Sequence, residues 1–167
     1  MPDSTATDFV IARVFQAPRP RVWEAWTTPA MLARWFGPRG VTTTVLRHEL
    51  RPGGIFHARL DQPSGGPIWA RLLYREIVPP SRLVWEHAFG DAEGNVAPSP
   101  FGGPWPLRLL TTVEFEEEGG ATRVTLRWAP MDATPEEARS FEEAKPGMAD
   151  GWGGSYERLE AALAETG

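Results

Sequence analysis

Tyr74, Glu76 and His87 are the residues whose types and spacing could do chemistry in this chain. In IWARLLYREIV (68–78), placing Arg71 and Arg75 in water turns Ile68, Ala70, Leu72, Tyr74, Glu76 and Val78 to the inner face. A carboxylate in that position must be paired or protonated. It could anchor a polar group or act as a general acid or base. At a strand end it would instead pair with an arginine such as Arg13 or Arg82, and a shift of one residue would turn it outward. In RLVWEHAF (82–89), His87 shares an apolar face with Leu83, Trp85 and Phe89. A lone histidine there is either a hydrogen-bonded core residue or a proton carrier. His48 and His57 lie on facing strands of one predicted hairpin, with no third ligand and no HxxxH spacing, so no metal site is expected. The absence of cysteine removes thiolate ligands, a cysteine nucleophile and disulfides. Neither a cofactor nor a catalytic constellation is expected.

The elements that must position these groups begin with a strand, FVIARVF (9–15), ended by Ala17-Pro18. Two short helical phrases follow, carrying Trp23, Trp26 and Trp35. They are divided at Thr28-Pro29, where the threonine hydroxyl can cap the second helix and proline occupies its first position. Gly37-Pro38 stops the second phrase. Residues 41–50, 55–60, 68–78, 82–89, 107–118 and 121–129 then read as six strands joined by turns such as Arg51-Pro52-Gly53-Gly54 and Gly119-Gly120. Alternation puts Leu107, Leu109, Thr111, Val113 and Phe115 on one face, as it does Thr122, Val124, Leu126 and Trp128. Thr134-Pro135-Glu136-Glu137 opens a helix that Pro146-Gly147 is expected to break. A last helix over 148–164 carries the stripe Met148, Trp152, Tyr156, Leu159 and Leu163. The expected fold is α+β: a curved antiparallel sheet of about seven strands around a C-terminal helix, in one domain spanning 1–167, with 1–7 as a flexible tail.

Lys+Arg 17 against Asp+Glu 22 leaves a net charge of −5. The basic residues are almost all arginine and are spread along the chain, so no nucleic-acid face is expected. No apolar run approaches the ~20 residues of a membrane span, and MPDSTATD does not read as a signal peptide, so a cytoplasmic protein is expected.

The order Arg13…Ala17-Pro18…Val22-Trp23…Ala25-Trp26-Thr27…Pro29…Leu32…Trp35-Phe36-Gly37-Pro38 resembles bacterial proteins similar to the activator of the Hsp90 ATPase. These belong to the START-like (SRPBCC) superfamily, with the helix-grip fold of the birch-pollen allergen. Leu50-Arg51-Pro52-Gly53-Gly54, Tyr74-Arg75-Glu76-Ile77-Val78-Pro79-Pro80-Ser81-Arg82-Leu83 and Gly147-Met148-Ala149-Asp150-Gly151-Trp152 match in family order. The resemblance implies an apolar ligand held between the sheet and the last helix. Superfamily members include lipid carriers, hormone receptors, polyketide aromatase/cyclases and co-chaperone domains.

On that footing the expected ligand is small and apolar or aromatic. Candidate wall and orienting residues are Trp35, Phe56, Trp69, Tyr74, Glu76 and Trp85 on one part of the chain. His87, Trp105, Phe115, Trp128, Trp152 and Tyr156 complete the set. Gly151, Gly153 and Gly154 each cost about 1 kcal/mol in a helix interior, so they either admit a close neighbour or leave space beside Trp152 and Tyr156. The alternatives are a cyclase or hydro-lyase using Glu76 or His87, and a co-chaperone module with a chaperone contact. The 90–106 loop, with Val96, Phe101 and Trp105, reads as a lid or a homodimer contact.

Overall fold

The computed structural model describes residues 8–165; the expected flexible tail at 1–7 lies outside the described residues. Strand β1 (Phe9–Phe15) is followed by α1 (Arg19–Thr27) and α2 (Pro29–Trp35). The chain continues through β2 (Thr42–His48), β3 (Ile55–Asp61), β4 (Ile68–Val78) and β5 (Arg82–Gly90). After β6 (Val96–Ala97) come β7 (Leu109–Glu118), β8 (Ala121–Pro130) and α3 (Pro135–Glu165). The strands form one sheet in the order β1-β8-β7-β5-β4-β3-β2, and the two-residue β6 pairs back on β5. Every pairing is antiparallel. The expected curved sheet, short helices and long helix are therefore present. The seven long strands gain a short eighth, which arises inside the 90–106 loop.

Tight turns impose the meander, and α1, α2 and α3 cover its apolar face. Trp26 sits at the centre of that core. Its ring lies 4.6 Å from Trp35, 5.7 Å from Phe115 and 6.3 Å from both Trp152 and Tyr156. Trp35 donates from Nε1 to the Ala25 carbonyl at 2.8 Å, which fixes α2 against α1. Thr122 donates to the Ala17 carbonyl at 2.8 Å and ties the start of β8 to the corner after β1.

Three expectations change, and the two histidines of the β2–β3 hairpin are resolved onto separate faces. Glu76 does not point inward. The register steps from Tyr74↔Trp85 to Glu76↔Val84, so β4 carries one extra residue, a bulge that reverses the alternation beyond Tyr74. Ile77 turns toward the core, while Glu76 is exposed and bonded to Arg82 at 2.8 Å. Arg13, the other considered partner, reaches Glu160 on α3 instead at 3.2 Å.

Pro146 does not end a helix, because α3 runs unbroken from Pro135 to Glu165. Proline interrupts one backbone bond, at a cost of roughly 3 kcal/mol. The buried stripe nevertheless continues across it, from Phe141 to Met148, Trp152, Tyr156, Leu159 and Leu163. Thr134 and Glu137 open the helix with reciprocal bonds of 3.1 and 3.0 Å, a capping box with proline at the first helical position.

Thr28 does separate α1 from α2, but its hydroxyl donates backward to the Glu24 carbonyl at 3.0 Å. The hydroxyl is turned to the end of α1 and makes no side-chain cap to the first turn of α2. His48 and His57 occupy opposite faces, since His48 pairs with Phe56 and pleating turns the next residue, His57, the other way. His48 meets Tyr74 on the inner side, with its Nε2 3.3 Å from the hydroxyl. His57 stacks on Trp69 and donates to the Asp91 carbonyl at 2.9 Å.

Candidate functional site

A cavity of about 180 Å³ lies between the sheet and α3. Its helix wall is Met148, Gly151, Trp152 and Ser155, spaced i, i+3, i+4 and i+7 and therefore one face. The sheet contributes Leu60, Ile68, Ala70, His87, Phe89 and Trp128, and the turn after α2 contributes Phe36, Gly37 and Pro38. Trp69 and Ala88 complete the border. None of these side chains is an acid, a lysine or an arginine. Beyond His87, Phe89 and Trp128 lies an annex of about 50 Å³, walled by Trp105, Leu107 and Leu109.

The two helix glycines nearest the cavity serve different ends. A methyl group at Gly151 would meet nothing within 4 Å, so this glycine leaves space. At Gly154 it would lie 2.9 Å from the Arg39 side chain and 3.2 Å from its backbone nitrogen, so that glycine admits a close neighbour. Gly37, at φ 110°, lies in the left-handed region, and a Cβ there would collide with Val41 and Leu60 at 2.8 and 3.0 Å.

The turn that Gly37 makes is held from α3. Arg158 donates to the carbonyls of Gly37 at 3.0 Å, Pro38 at 3.2 Å and Arg34 at 3.1 Å. Thr43 also donates to the Phe36 carbonyl. One guanidinium thus satisfies the C-terminal carbonyls of α2 and fixes one rim of the cavity. Arg158→Met keeps the aliphatic stem but removes these charge-assisted bonds. It is expected to lower stability by about 2 kcal/mol in urea unfolding, with the half-exposed position moderating the loss.

His87 is the titratable group of the cavity. Its ring packs 5.1 Å from Trp128 and 6.3 Å from Phe36. Trp85 Nε1 lies 3.3 Å from His87 Nδ1. Indole is a donor only, so Nδ1 accepts and the imidazole proton resides on Nε2. Desolvation pushes the His87 pKa down to about 4, which keeps the ring neutral at pH 7. His87 retains some accessible surface, and that surface borders the cavity. Trp128 Nε1 is buried without a hydrogen-bond partner, as are Trp26 Nε1 and the Tyr156 hydroxyl. Burial raises the pKa of both Tyr74 and Tyr156 well above the ordinary phenol value.

Of the sequence candidates, Trp69, His87, Trp128 and Trp152 border the main cavity, and Trp105 borders the annex. Trp35, Phe56, Tyr74, Trp85, Phe115 and Tyr156 are buried in the filled part of the core. Glu76 stands on the surface. Glu76→Gln is therefore expected to shift stability by less than about 0.5 kcal/mol and to leave any ligand affinity unchanged, as urea unfolding and ligand titration would measure. Sequence reasoning missed Phe36, Gly37, Pro38, Leu60 and Ser155. The signal that could have found the cavity is the small residues, Ala70, Gly151 and Ser155, placed between large inward rings.

The 90–106 loop does not act as one piece. Val96 joins the sheet through β6, Trp105 packs 6.0 Å from Phe141 of α3, and Phe101 is 71 % exposed while resting 5.9 Å from Phe89.

Among the described residues no three acidic, histidine or cysteine side chains group to hold a metal ion. No described helix is long and apolar enough to cross a membrane.

No curated protein matches the chain in sequence. Solved structures match it over nearly their whole length. A protein of Arthrobacter aurescens is 28% identical, with a TM-score of 0.78, covering 98% of this chain and 90% of its own. One from Nitrosomonas europaea is 25% identical, with a TM-score of 0.77 and 98% coverage of both chains. A Mycobacterium smegmatis protein, 23% identical over 95% of this chain and 91% of its own, shares the fold with a TM-score of 0.78. The sequence pattern described as "Activator of Hsp90 ATPase homolog 1-like protein" matches residues 16–164. With the helix-grip architecture and a family pattern running from the end of β1 to the end of α3, this chain belongs to the family of Activator of Hsp90 ATPase homolog 1-like proteins, within the START-like superfamily.

Proposed function

We propose that this protein binds a small apolar or aromatic molecule in the cavity between the sheet and α3, and sequesters or presents it in the cytoplasm. The family is one of ligand-binding or chaperone-related roles. The observation that favours ligand binding here is the cavity wall: five aromatic rings, aliphatic side chains, no charge and a few polar atoms. Such a wall gains most from displacing water with an apolar guest. The alternative of a cyclase or hydro-lyase loses its carboxylate with Glu76 on the surface, leaving His87 as the only proton carrier in the wall.

Native mass spectrometry of protein purified from its own host tests the reading. A non-covalent adduct that disappears on denaturation is expected, and its mass identifies the ligand class. The same spectrum reports whether the chain forms a homodimer. Bare protein, together with unchanged tryptophan fluorescence across a panel of aromatic and acyl compounds, would sink the reading. An effect on a chaperone's ATPase rate would then become the leading test.

A further inference from the structure

We infer that the cavity selects uncharged one-ring aromatic molecules bearing a hydrogen-bond acceptor, such as an aryl ketone, and that His87 Nε2–H is the donor that reads the acceptor. The inference rests on the ligand-binding reading and narrows it.

Size sets the first limit. An apolar cavity of about 150 Å³ suffices for benzene. The 180 Å³ available here adds room for a substituent of two or three heavy atoms, and the rest of a long acyl chain or a fused polycycle would protrude through the open side into water, unburied. Shape chemistry sets the second. The rings of Phe36, Phe89, Trp128 and Trp152 supply flat apolar surfaces on several sides, which favour an aromatic guest.

Polarity sets the third limit. The side-chain polar groups of the wall are indole N–H groups, the His87 Nε2–H and the Ser155 hydroxyl. All can donate, and only the hydroxyl can also accept. His87 cannot use Nδ1 for a ligand because Trp85 occupies it. Nε2 has no protein partner among the described residues, so this donor is left for a guest. Trp128 Nε1, on the ring packed against His87, also lacks an acceptor but is sealed within the wall and offers nothing to a guest. A wall with surplus donors and no cation fits a neutral acceptor. A carboxylate or an ammonium would enter without a counter-charge, and both would lose their hydration.

The test titrates wild-type protein with acetophenone, ethylbenzene and benzoate at pH 7.5, following tryptophan fluorescence. It repeats the series with His87→Phe, which keeps an aromatic ring but removes the donor. Benzoate is expected to bind at least about 100-fold more weakly than acetophenone, which is about 2.7 kcal/mol of discrimination. The acetophenone-to-ethylbenzene affinity ratio is expected to fall about tenfold in His87→Phe, the scale of one lost hydrogen bond. A readout on the wild-type protein alone guards against a misfolded variant. With ¹⁵N-labelled histidine, acetophenone is expected to move the His87 Nε2 resonance and ethylbenzene to leave it in place. Benzoate binding as well as acetophenone, or an unmoved Nε2 with an unchanged ratio, overturns the inference while the cavity still binds. Failure of all three probes to bind overturns the ligand-binding reading itself, and this inference with it.

Discussion

Gly151→Leu is expected to abolish ligand binding while leaving the fold at least as stable as the wild type. Gly151 lies on the same helix face as Met148, Trp152 and Ser155, and a Cβ there meets nothing within 4 Å. The Cβ alone recovers helix propensity, so Gly151→Ala is expected to gain about 1 kcal/mol in urea unfolding. Leucine extends four carbons into a cavity of about 180 Å³ and leaves no room for a ring. A one-ring guest burying ~150–200 Å² gains about 4–5 kcal/mol from desolvation, so excluding it costs at least about 100-fold in affinity. Titrations of both variants against one ligand would check the order: wild type tightest, alanine weaker, leucine undetectable. Equal affinity in all three would place the guest elsewhere.

Stability is expected to fall by about 3 kcal/mol between pH 6.5 and pH 4 because of His87 alone. The unfolded histidine titrates near the model value of 6.5, whereas the folded ring takes a proton only near pH 4. Above 6.5 neither state binds the proton and the full stability is present. As the pH falls through this window only the unfolded chain is protonated, so unfolding is favoured. Below about 4 both states are protonated and the loss stops growing. His48, also lowered by burial, adds a smaller loss of the same sign. Glu49, Asp91 and Glu157, all lowered by hydrogen bonds or ion pairs, lose their contribution only in the more acidic carboxylate range. Urea titrations at pH 7.5, 5.5 and 4.5 measure the slope. His87→Phe is expected to remove most of it, and a slope surviving that change would assign it to other groups.

Much of the architecture was legible because alternation reports burial directly. Leu109, Thr111, Val113 and Phe115 are all buried on one face of β7, as their spacing requires, whereas Leu107, expected in the same series, precedes the strand and is 45 % exposed. The family pattern supplied the helix-grip arrangement. Glu76 was misplaced because a bulge is one residue long and leaves no compositional mark: Arg75 is polar in either register. The run through Pro146 was hidden because the local cost of proline is plain in sequence, while the burial of Phe141 against Trp105 is a tertiary fact. The candidate site was legible only in part. Trp26, Trp85 and Trp152 are chemically alike, and what separates core from cavity is whether the residue opposite is large or small.

The position of β1 at one end of the sheet has a consequence for how the protein fails. Phe9–Phe15 pairs with β8 on one side only, and among the described residues its other edge carries no strand. FVIARVF is rich in β-formers, contains no proline and carries a single charge, Arg13, which the native state engages with Glu160. Segments of this composition stack into intermolecular sheets once freed. Heating releases the segment at the temperatures where such association is fast. Thermal denaturation of this chain is therefore expected to lose reversibility through association of the freed strand, and urea, which keeps that strand solvated, gives the equilibrium comparison among variants.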